Sequence, residues 1–207
     1  MKEFARWTAL GFAMFVSGCV SLLPETAPPA PRYHIAAFSD ARLEGAPLDW
    51  SLTVEDPRAA RVYDTTRMAV SAAPGRIEFL SGVEWTDRAP RLFQIALVQT
   101  FEDAGRILSV GDRTTIPVAD IALETDIRRM EAVLQNGGRE VRVSVFARLG
   151  DGKGEIYAAR LFEVTAPTRG QGADSVALAF NDAFSQIMPD IILWTYEQGD
   201  AARAARS

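Results

Sequence analysis

The stretch 139-REVRVSVFARLGDGKGEIYAARLFEVTAP-167 decides the fold class, because two long runs of alternating residues surround one glycine-rich turn. Alternation of apolar and polar residues with a period of two is typical of a β-strand with one buried face. Residues 150–154 supply the turn, and a second alternating run begins at Ile156. The stretch therefore predicts a long antiparallel hairpin. The apolar positions of its first strand are Val141, Val143, Val145, Ala147 and Leu149.

Shorter runs of β-like sequence precede this hairpin. Residues 73–75, Ala-Pro-Gly, separate two of them, which predicts a second and shorter hairpin. The runs are RYHIAAF (32–38), WSLTVED (50–56), RMAVSA (67–72), RIEFLS (76–81) and ILSVG (107–111).

A first amphipathic helix is predicted where the period changes to that of a helix. Asp87 or Thr86 is the candidate N-cap, Pro90 suits the first turn, and Gly105 suits the end. The apolar face consists of Leu92, Phe93, Ala96, Leu97 and Phe101.

A second amphipathic helix is predicted to begin near Asp174 or Ser175, with a kink at Pro189. Its apolar face consists of Val176, Phe180, Ala183, Phe184, Ile187, Ile191 and Trp194.

The segment 120-DIALETDIRRMEAVLQN-136 matches both periods, so periodicity alone leaves helix and strand open. The order of the other elements predicts an α+β fold, with one mainly antiparallel sheet and two amphipathic helices packed on one of its faces. The predicted domain covers residues 32–197, and residues 198–207 are predicted to be a flexible tail.

Composition and charge exclude several classes of function. A chain of 207 residues, 48% of them hydrophobic, suits one well-buried domain. A formal charge of −5 without a lysine or arginine cluster argues against a nucleic-acid partner. The single cysteine excludes an internal disulfide and a Cys-x-x-Cys zinc site. The single histidine, His34, excludes two-histidine metal sites and the usual catalytic triads.

Residues 1–18 have the layout of a lipoprotein signal peptide. Two basic residues precede an uncharged apolar run at 7–16, which spans only ~15 Å as a helix, about half a bilayer. The sequence VSGC (16–19) then resembles the bacterial lipobox, in which small residues precede a cysteine that forms a thioether with diacylglycerol. We therefore predict a covalent lipid at Cys19 and no other cofactor.

Residues 19–31 are predicted to be a lipidated, proline-rich tether. Prolines favour an extended polyproline II chain, and at ~3.1 Å per residue twelve residues reach up to ~37 Å. A disordered mature N-terminus without a spacing role has the same composition and remains the alternative. The prolines are Pro24, Pro28, Pro29 and Pro31.

Candidate catalytic groups are few, and each has a structural explanation. The carboxylate pairs Glu84/Asp87 and Glu102/Asp103 lie at helix ends, where they suit capping or solvated surface. The segment 150–155 lacks the remaining residues of a phosphate loop or a calcium loop, so a hairpin turn is favoured. We therefore predict that the protein is not an enzyme.

Four other side chains have two interpretations each. His34 suits a packing or surface position better than a pH sensor. Trp85 suits the core better than a partner contact, whereas core and partner contact are equally open for Trp194 and Tyr196. None of the four is predicted as a site residue.

The order of several segments resembles the ABC-type transport auxiliary lipoproteins, the PqiC-like family. The resemblance spans the predicted domain and implies that residues 120–136 form a strand. The segments that carry it are RYHI (32–35), EWTDRAPRLFQ (84–94), LVQTFEDAGRILSVG (97–111), the run 120–149 and AFNDAFSQIMPDIILW (179–194), after the lipobox at Cys19.

The resemblance implies an accessory, non-catalytic lipoprotein of a lipid-transport system. Such systems combine an inner-membrane ABC transporter with a periplasm-spanning protein that carries mammalian-cell-entry (MCE) domains. Val20 stands where an aspartate would retain a lipoprotein at the inner membrane, so the expected location is the periplasmic face of the outer membrane. The lipoprotein would dock the MCE protein there, and the resemblance leaves room for a ring of subunits. The alternative function is a periplasmic lipid-binding carrier.

Overall fold

The computed structural model describes residues 30–135 and 138–205, so Cys19 and most of the predicted tether lie outside the described residues. Within this part of the chain, nine strands form one sheet and two α-helices pack against it. The helices are α1 (Ala89–Ala104) and α2 (Ala173–Ala204). The strands are β1 (Arg32–Tyr33), β2 (Leu48–Val54), β3 (Arg58–Ala59), β4 (Arg67–Ala73), β5 (Arg76–Trp85), β6 (Ile107–Asp112), β7 (Ile121–Gln135), β8 (Gly138–Gly150) and β9 (Ile156–Pro167).

The long strand β7 is the centre of the sheet. On one side it pairs antiparallel with β8, which pairs antiparallel with β9 over the whole predicted hairpin. On its other side it pairs in succession with β2, β3 and β4. The sheet continues from β2 to β6 and from β4 through β5 to β1. Both predicted hairpins are therefore confirmed, and the ambiguous segment is a strand, as the resemblance implied.

The prediction of a mainly antiparallel sheet is wrong in one respect, because the sheet is mixed. β2, β3 and β4 all run parallel to β7, and β2 also runs parallel to β6. Helix α1 lies in the chain between β2, β3 and β4 on one side and β6 and β7 on the other. The strand directly before α1 is β5, which runs antiparallel to β4, so the parallel pairs join strands that are distant in the chain and that no tight turn links.

A β-bulge interrupts β7, where the register against β8 shifts between Ile127 and Arg129. The buried positions Ile127 and Met130 are consequently three residues apart instead of two. That spacing is what gave the segment its helical period. The bulge also leaves two consecutive residues, Arg128 and Arg129, exposed on the sheet.

Helix α1 begins at Ala89 after Arg88, and no side chain caps it. The prediction of Asp87 or Thr86 as the cap is therefore wrong. The Asp87 carboxylate accepts a hydrogen bond from the N–H of Arg88, the residue before the helix, and not from an N–H within the first turn. Gly105 does end the helix, as predicted, with a left-handed φ of 64° that its hydrogen side chain permits.

Helix α2 continues to Ala204, past the predicted domain end at residue 197. The structure therefore corrects the predicted tail, because residues 198–204 are helical. Gly199 lets the helix approach the ring of Trp50, where a Cβ atom would lie 2.7 Å from Cζ2. By length and composition α2 could cross a membrane, but 61% of its most apolar window is buried against the sheet and α1, as in a core helix.

Both helices pack on the same face of the sheet, as predicted. Their apolar residues and the inward residues of the strands form one continuous core. Aromatic rings join the layers: Trp85 of β5 meets Phe180 of α2 edge-on at 5.4 Å, and Phe93 of α1 lies 5.8 Å from Phe184 of α2. The other face of the sheet, which we call the open face, bears no helix from the described residues.

Candidate interaction surface on the open face of the sheet

The open face carries an aromatic residue whose ring is contacted by two arginines. Phe146 of β8 lies in the polar phase of its strand, opposite Asp126 of β7 and Leu161 of β9. The guanidinium of Arg128 lies 4.2 Å from the centre of the Phe146 ring, and that of Arg148 lies 4.7 Å away. We call Arg128, Phe146, Arg148 and Leu161 the Phe146 cluster.

The members of the Phe146 cluster are exposed or half-buried, and they lie outside the hydrophobic core. Leu161 keeps 41% of its surface exposed, and Phe146 is half-buried. Neither residue packs against the core cluster between sheet and helices. Arginine and aromatic residues are enriched where proteins contact each other, so this composition is typical of an interaction surface.

The two arginines of the cluster are weakly neutralised. Arg128 has a carboxylate oxygen of Asp126 at 3.9 Å. For Arg148 no ion pair is found within the described parts of the chain. Both guanidiniums therefore keep N–H groups available for an external acceptor.

A groove of about 740 Å³ extends the open face toward the turn between β4 and β5. Its floor holds a buried carboxylate, Glu131, which accepts a hydrogen bond of 2.9 Å from the Tyr63 hydroxyl and has Arg129 at 3.7 Å. Burial and this hydrogen bond raise the pKa of Tyr63 above its usual value. Ile77 and Leu134 add exposed apolar surface at the rim.

The start of the domain is fixed to the rim of the sheet. The Pro31 carbonyl accepts a hydrogen bond from the Glu84 N–H at 3.1 Å, and the Tyr33 hydroxyl donates to Asp174 at 2.8 Å. β1 pairs with the last two residues of β5, so the described chain begins at the end of β5 opposite the Pro74–Gly75 turn.

The aromatic residues singled out in the sequence all lie in the core. Trp85 and Trp194 are 2% and 6% exposed, and Trp194 packs edge-on against Phe162 at 5.6 Å. Tyr196 is 4% exposed and packs edge-on against Phe101 at 5.7 Å. Trp194 and Tyr196, for which the sequence left core packing and partner contact open, therefore pack in the core.

We expect Tyr196→Phe to leave the domain folded and to make it less sensitive to alkaline pH. The Tyr196 hydroxyl is buried without a hydrogen-bond partner among the described residues, and burial raises its pKa to about 12. Unfolded tyrosine ionises near pH 10, so ionisation favours the unfolded wild-type chain as the pH rises from about 10 to 12.

Urea unfolding at pH 7 and pH 11 measures this effect. At pH 7 the free energy of unfolding of Tyr196→Phe should equal that of the wild type or exceed it by about 1 kcal/mol, because an unsatisfied buried hydroxyl is removed. At pH 11 the free energy of unfolding of Tyr196→Phe should exceed that of the wild type by more than it does at pH 7. If the wild type and Tyr196→Phe lose equal amounts of stability between pH 7 and pH 11, the buried Tyr196 hydroxyl is not the group whose ionisation favours unfolding.

The remaining candidate groups do not assemble into a catalytic or metal site. Glu84 faces Arg32 at 3.6 Å, whereas Glu102 and Asp103 are exposed at the end of α1. His34 is also exposed. Among residues 30–135 and 138–205 no group of three or more His, Cys, Asp or Glu side chains is placed to hold a metal ion.

The segment 150–155 is a hairpin turn, as the sequence favoured. The Asp151 carboxylate accepts hydrogen bonds from the N–H groups of Lys153 at 2.8 Å and Glu155 at 3.0 Å. Gly152 and Gly154 adopt positive φ angles, of 67° and 124°. The carboxylate therefore closes the turn on its own backbone.

The layer between helices and sheet is filled by side chains. Trp50, Phe93, Phe180 and Phe184 are fully buried there, and they belong to one continuous cluster. Among the described residues, large side chains therefore fill this layer.

Sequence reasoning missed the Phe146 cluster, although one signal pointed to it. Phe146 interrupts the polar phase of the first strand of the hairpin, where Arg142, Ser144 and Arg148 occupy the equivalent positions. A large apolar side chain on the solvent phase of an amphipathic strand indicates a contact surface. The contribution of Arg128 depends on the bulge in β7, which the sequence did not reveal.

Comparison with known proteins identifies relatives of the described domain. An uncharacterized protein of Bradyrhizobium diazoefficiens is 30% identical over 151 residues, 72% of this chain, and the chain spans 40% of that protein's length. The crystal structure of protein XCC0632 from Xanthomonas campestris is similar with a TM-score of 0.75 and 26% identity, over 86% of this chain and 99% of that one.

A second crystal structure, of an uncharacterized protein, has a TM-score of 0.60 over 80% of this chain and 97% of its own, and at 12% identity it supports the fold alone. The model of the family described as the ABC-type transport auxiliary lipoprotein component matches residues 33–192. Because this match covers more than half of the sequence, the chain belongs to the ABC-type transport auxiliary lipoprotein component family.

Proposed function

We propose that the protein is a non-catalytic tether that docks a periplasm-spanning MCE-domain protein to the outer membrane. In this role Cys19 carries the lipid anchor, residues 19–31 bridge to the domain, and the domain binds the partner. The lipoprotein raises the local concentration of its partner at the membrane without chemical turnover.

Membership of the ABC-type transport auxiliary lipoprotein component family supports a role as an auxiliary component of an ABC transport system. The observation that supports docking is the Phe146 cluster on the open face of the sheet, in which Arg128 and Leu161 are exposed beside the half-buried Phe146 and Arg148. The attachment of β1 to the sheet also supports the proposal, because it links the anchor-bearing end of the chain firmly to the domain.

Crosslinking of intact envelopes followed by mass spectrometry tests the partner. Lys153 is the single lysine after residue 18, so an amine-reactive reagent samples only one point of the domain. A dihydrazide that joins carboxyl groups samples the many aspartates and glutamates instead. We expect an MCE-domain protein among the crosslinked products after solubilisation in detergent.

An unrelated lipoprotein of the same envelope, crosslinked in parallel, gives the background. Recovery of this chain without enrichment of an MCE-domain protein above that background would contradict the docking role. The same sample also reports crosslinks between copies of the chain. These crosslinks test the predicted homo-oligomer.

A further inference from the structure

The bulge in β7 and the Phe146 cluster are parts of one arrangement. Without the bulge, consecutive residues of a strand would point to opposite faces, and only one of Arg128 and Arg129 would reach the open face. With it, the guanidinium of Arg128 lies 4.2 Å from the centre of the Phe146 ring, and the guanidinium of Arg148 lies 4.7 Å from the same centre. Bulges recur where a protein redirects a side chain for function.

Stacking fixes the two guanidiniums without using their hydrogen-bond donors. A guanidinium near an aromatic ring still presents its N–H groups at its edge, where they match the two oxygens of a carboxylate. Arg148 makes no ion pair within the described chain, and Arg128 has only one carboxylate, at 3.9 Å. The cluster therefore retains capacity for one more acidic group.

Apolar surface lies directly beside these donors. Leu161 is opposite Phe146 on the neighbouring strand, and Ala159 is opposite Arg148. Both residues of β9 are exposed. A partner that places an apolar side chain next to a carboxylate would cover Leu161 and the Phe146 ring while neutralising the arginines.

We propose that the Phe146 cluster is the docking site for a partner protein segment that presents an aspartate or glutamate beside an apolar side chain. The proposal rests on the proposed docking role only in requiring a protein partner, whichever protein that is. Glu124 and Asp126 lie opposite Arg148 and Phe146 on β7, so the surface carries both signs of charge and suits a single positioned carboxylate better than a continuous layer of anionic headgroups.

Site-specific photocrosslinking in the full-length, lipidated protein tests this assignment in intact cells. The photoreactive residue p-benzoylphenylalanine replaces Ala159, which lies beside the cluster and leaves its four members unchanged. Leu178, which is 59% exposed on α2, is the control position. We expect an adduct from position 159 whose crosslinked peptide contains a carboxylate next to an apolar residue, and none of that adduct from position 178.

A charge swap then tests the chemistry of the contact. Arg148→Glu should lower the yield of the adduct at least about tenfold, since a like-charge pair replaces an attractive one. Arg160→Glu is the matched control, because Arg160 also lies over a ring, that of Phe162, but in the opposite phase of β9. Replacing the crosslinked partner carboxylate by arginine should restore the adduct with Arg148→Glu.

Four outcomes would overturn the proposal: no adduct from position 159, an adduct only with lipid or with a second copy of this chain, an equal loss with Arg160→Glu, or no rescue by the swap. Thermal unfolding of each variant confirms that it is folded. An acidic partner without MCE domains would support this site while contradicting the proposed function, so the two failures are distinguishable.

Discussion

Replacing Gly199 with valine should lower the free energy of unfolding of the domain by about 3 kcal/mol or more, the upper part of the range for overpacked cores. A Cβ atom at this position would lie 2.7 Å from Cζ2 of Trp50 and 2.9 Å from Cδ1 of Ile121. Trp50 is fully buried, and Ile121 is 1% exposed, so neither side chain has free space to move into. Valine adds two further methyl groups to that contact.

Gly199→Ala is the sharper test, because the direction of its expected change in stability is opposite to the usual one. In a helix interior alanine is ordinarily more stable than glycine by about 1 kcal/mol. At Gly199 we expect the opposite, a loss of about 1 kcal/mol or more, because even one methyl group overlaps with Trp50. Urea unfolding followed by tryptophan fluorescence measures both variants.

Glu197→Ala is the matched control, since residue 197 is exposed on the same turn of α2 and its replacement should change stability by less than about 0.5 kcal/mol. A Gly199→Ala protein that is as stable as the wild type would mean that the end of α2 does not pack on Trp50. In that case the sequence-based assignment of residues 198–207 to a tail would regain its support.

The error about this tail has a physical origin. The predicted apolar face of α2 ends at Trp194, and Gly199, which lies beyond it, is of a residue type that often ends a helix. In the structure the same glycine is a point of close approach between helix and sheet. A glycine has both uses, and only the position of Trp50 in space decides between them.

The sequence predicted local elements well and long-range pairing poorly. The hairpin of β8 and β9 was predictable, because alternation and turn residues are local signals. The parallel pairing of β2, β3 and β4 with β7 was not, since its partners are distant in sequence and no turn links them. The bulge between Ile127 and Arg129 likewise depends on the register against β8.

The candidate site divides in the same way. Its lipid attachment residue, Cys19, was predicted from a local motif and stays a prediction, because it lies outside the described residues. The Phe146 cluster combines residues of three strands, so its arginines and its ring meet only once the sheet is assembled. Nothing in the sequence around Arg148 indicates that its guanidinium forms no ion pair within the described residues.

Replacing Cys19 with alanine should release the protein from the membrane fraction almost completely. Only a thiol can form the thioether to diacylglycerol, and each buried methylene of an acyl chain contributes about 0.8 kcal/mol to membrane binding. Two chains hold a protein stably, whereas the domain has a net negative charge and no basic cluster that would replace them. We expect Cys19→Ala in the soluble periplasmic fraction, without incorporation of labelled palmitate.

Ser21→Ala is the matched control for this variant, because it changes a small residue close to the cysteine and leaves the VSGC motif (16–19) intact. It should remain in membranes and incorporate the label as the wild type does. Both purified domains should unfold at the same temperature, since the core is built from residues of the described domain.

Cys19→Ala that stays with membranes after an alkaline carbonate wash would show that another part of the chain anchors it, and the lipoprotein tether would then be the wrong mechanism. A second expected result is that release of the variant also abolishes docking of the partner to the outer membrane, while the released domain still binds the partner in solution. Residues 19–31 would then provide the anchor, and the open face would separately provide recognition of the partner.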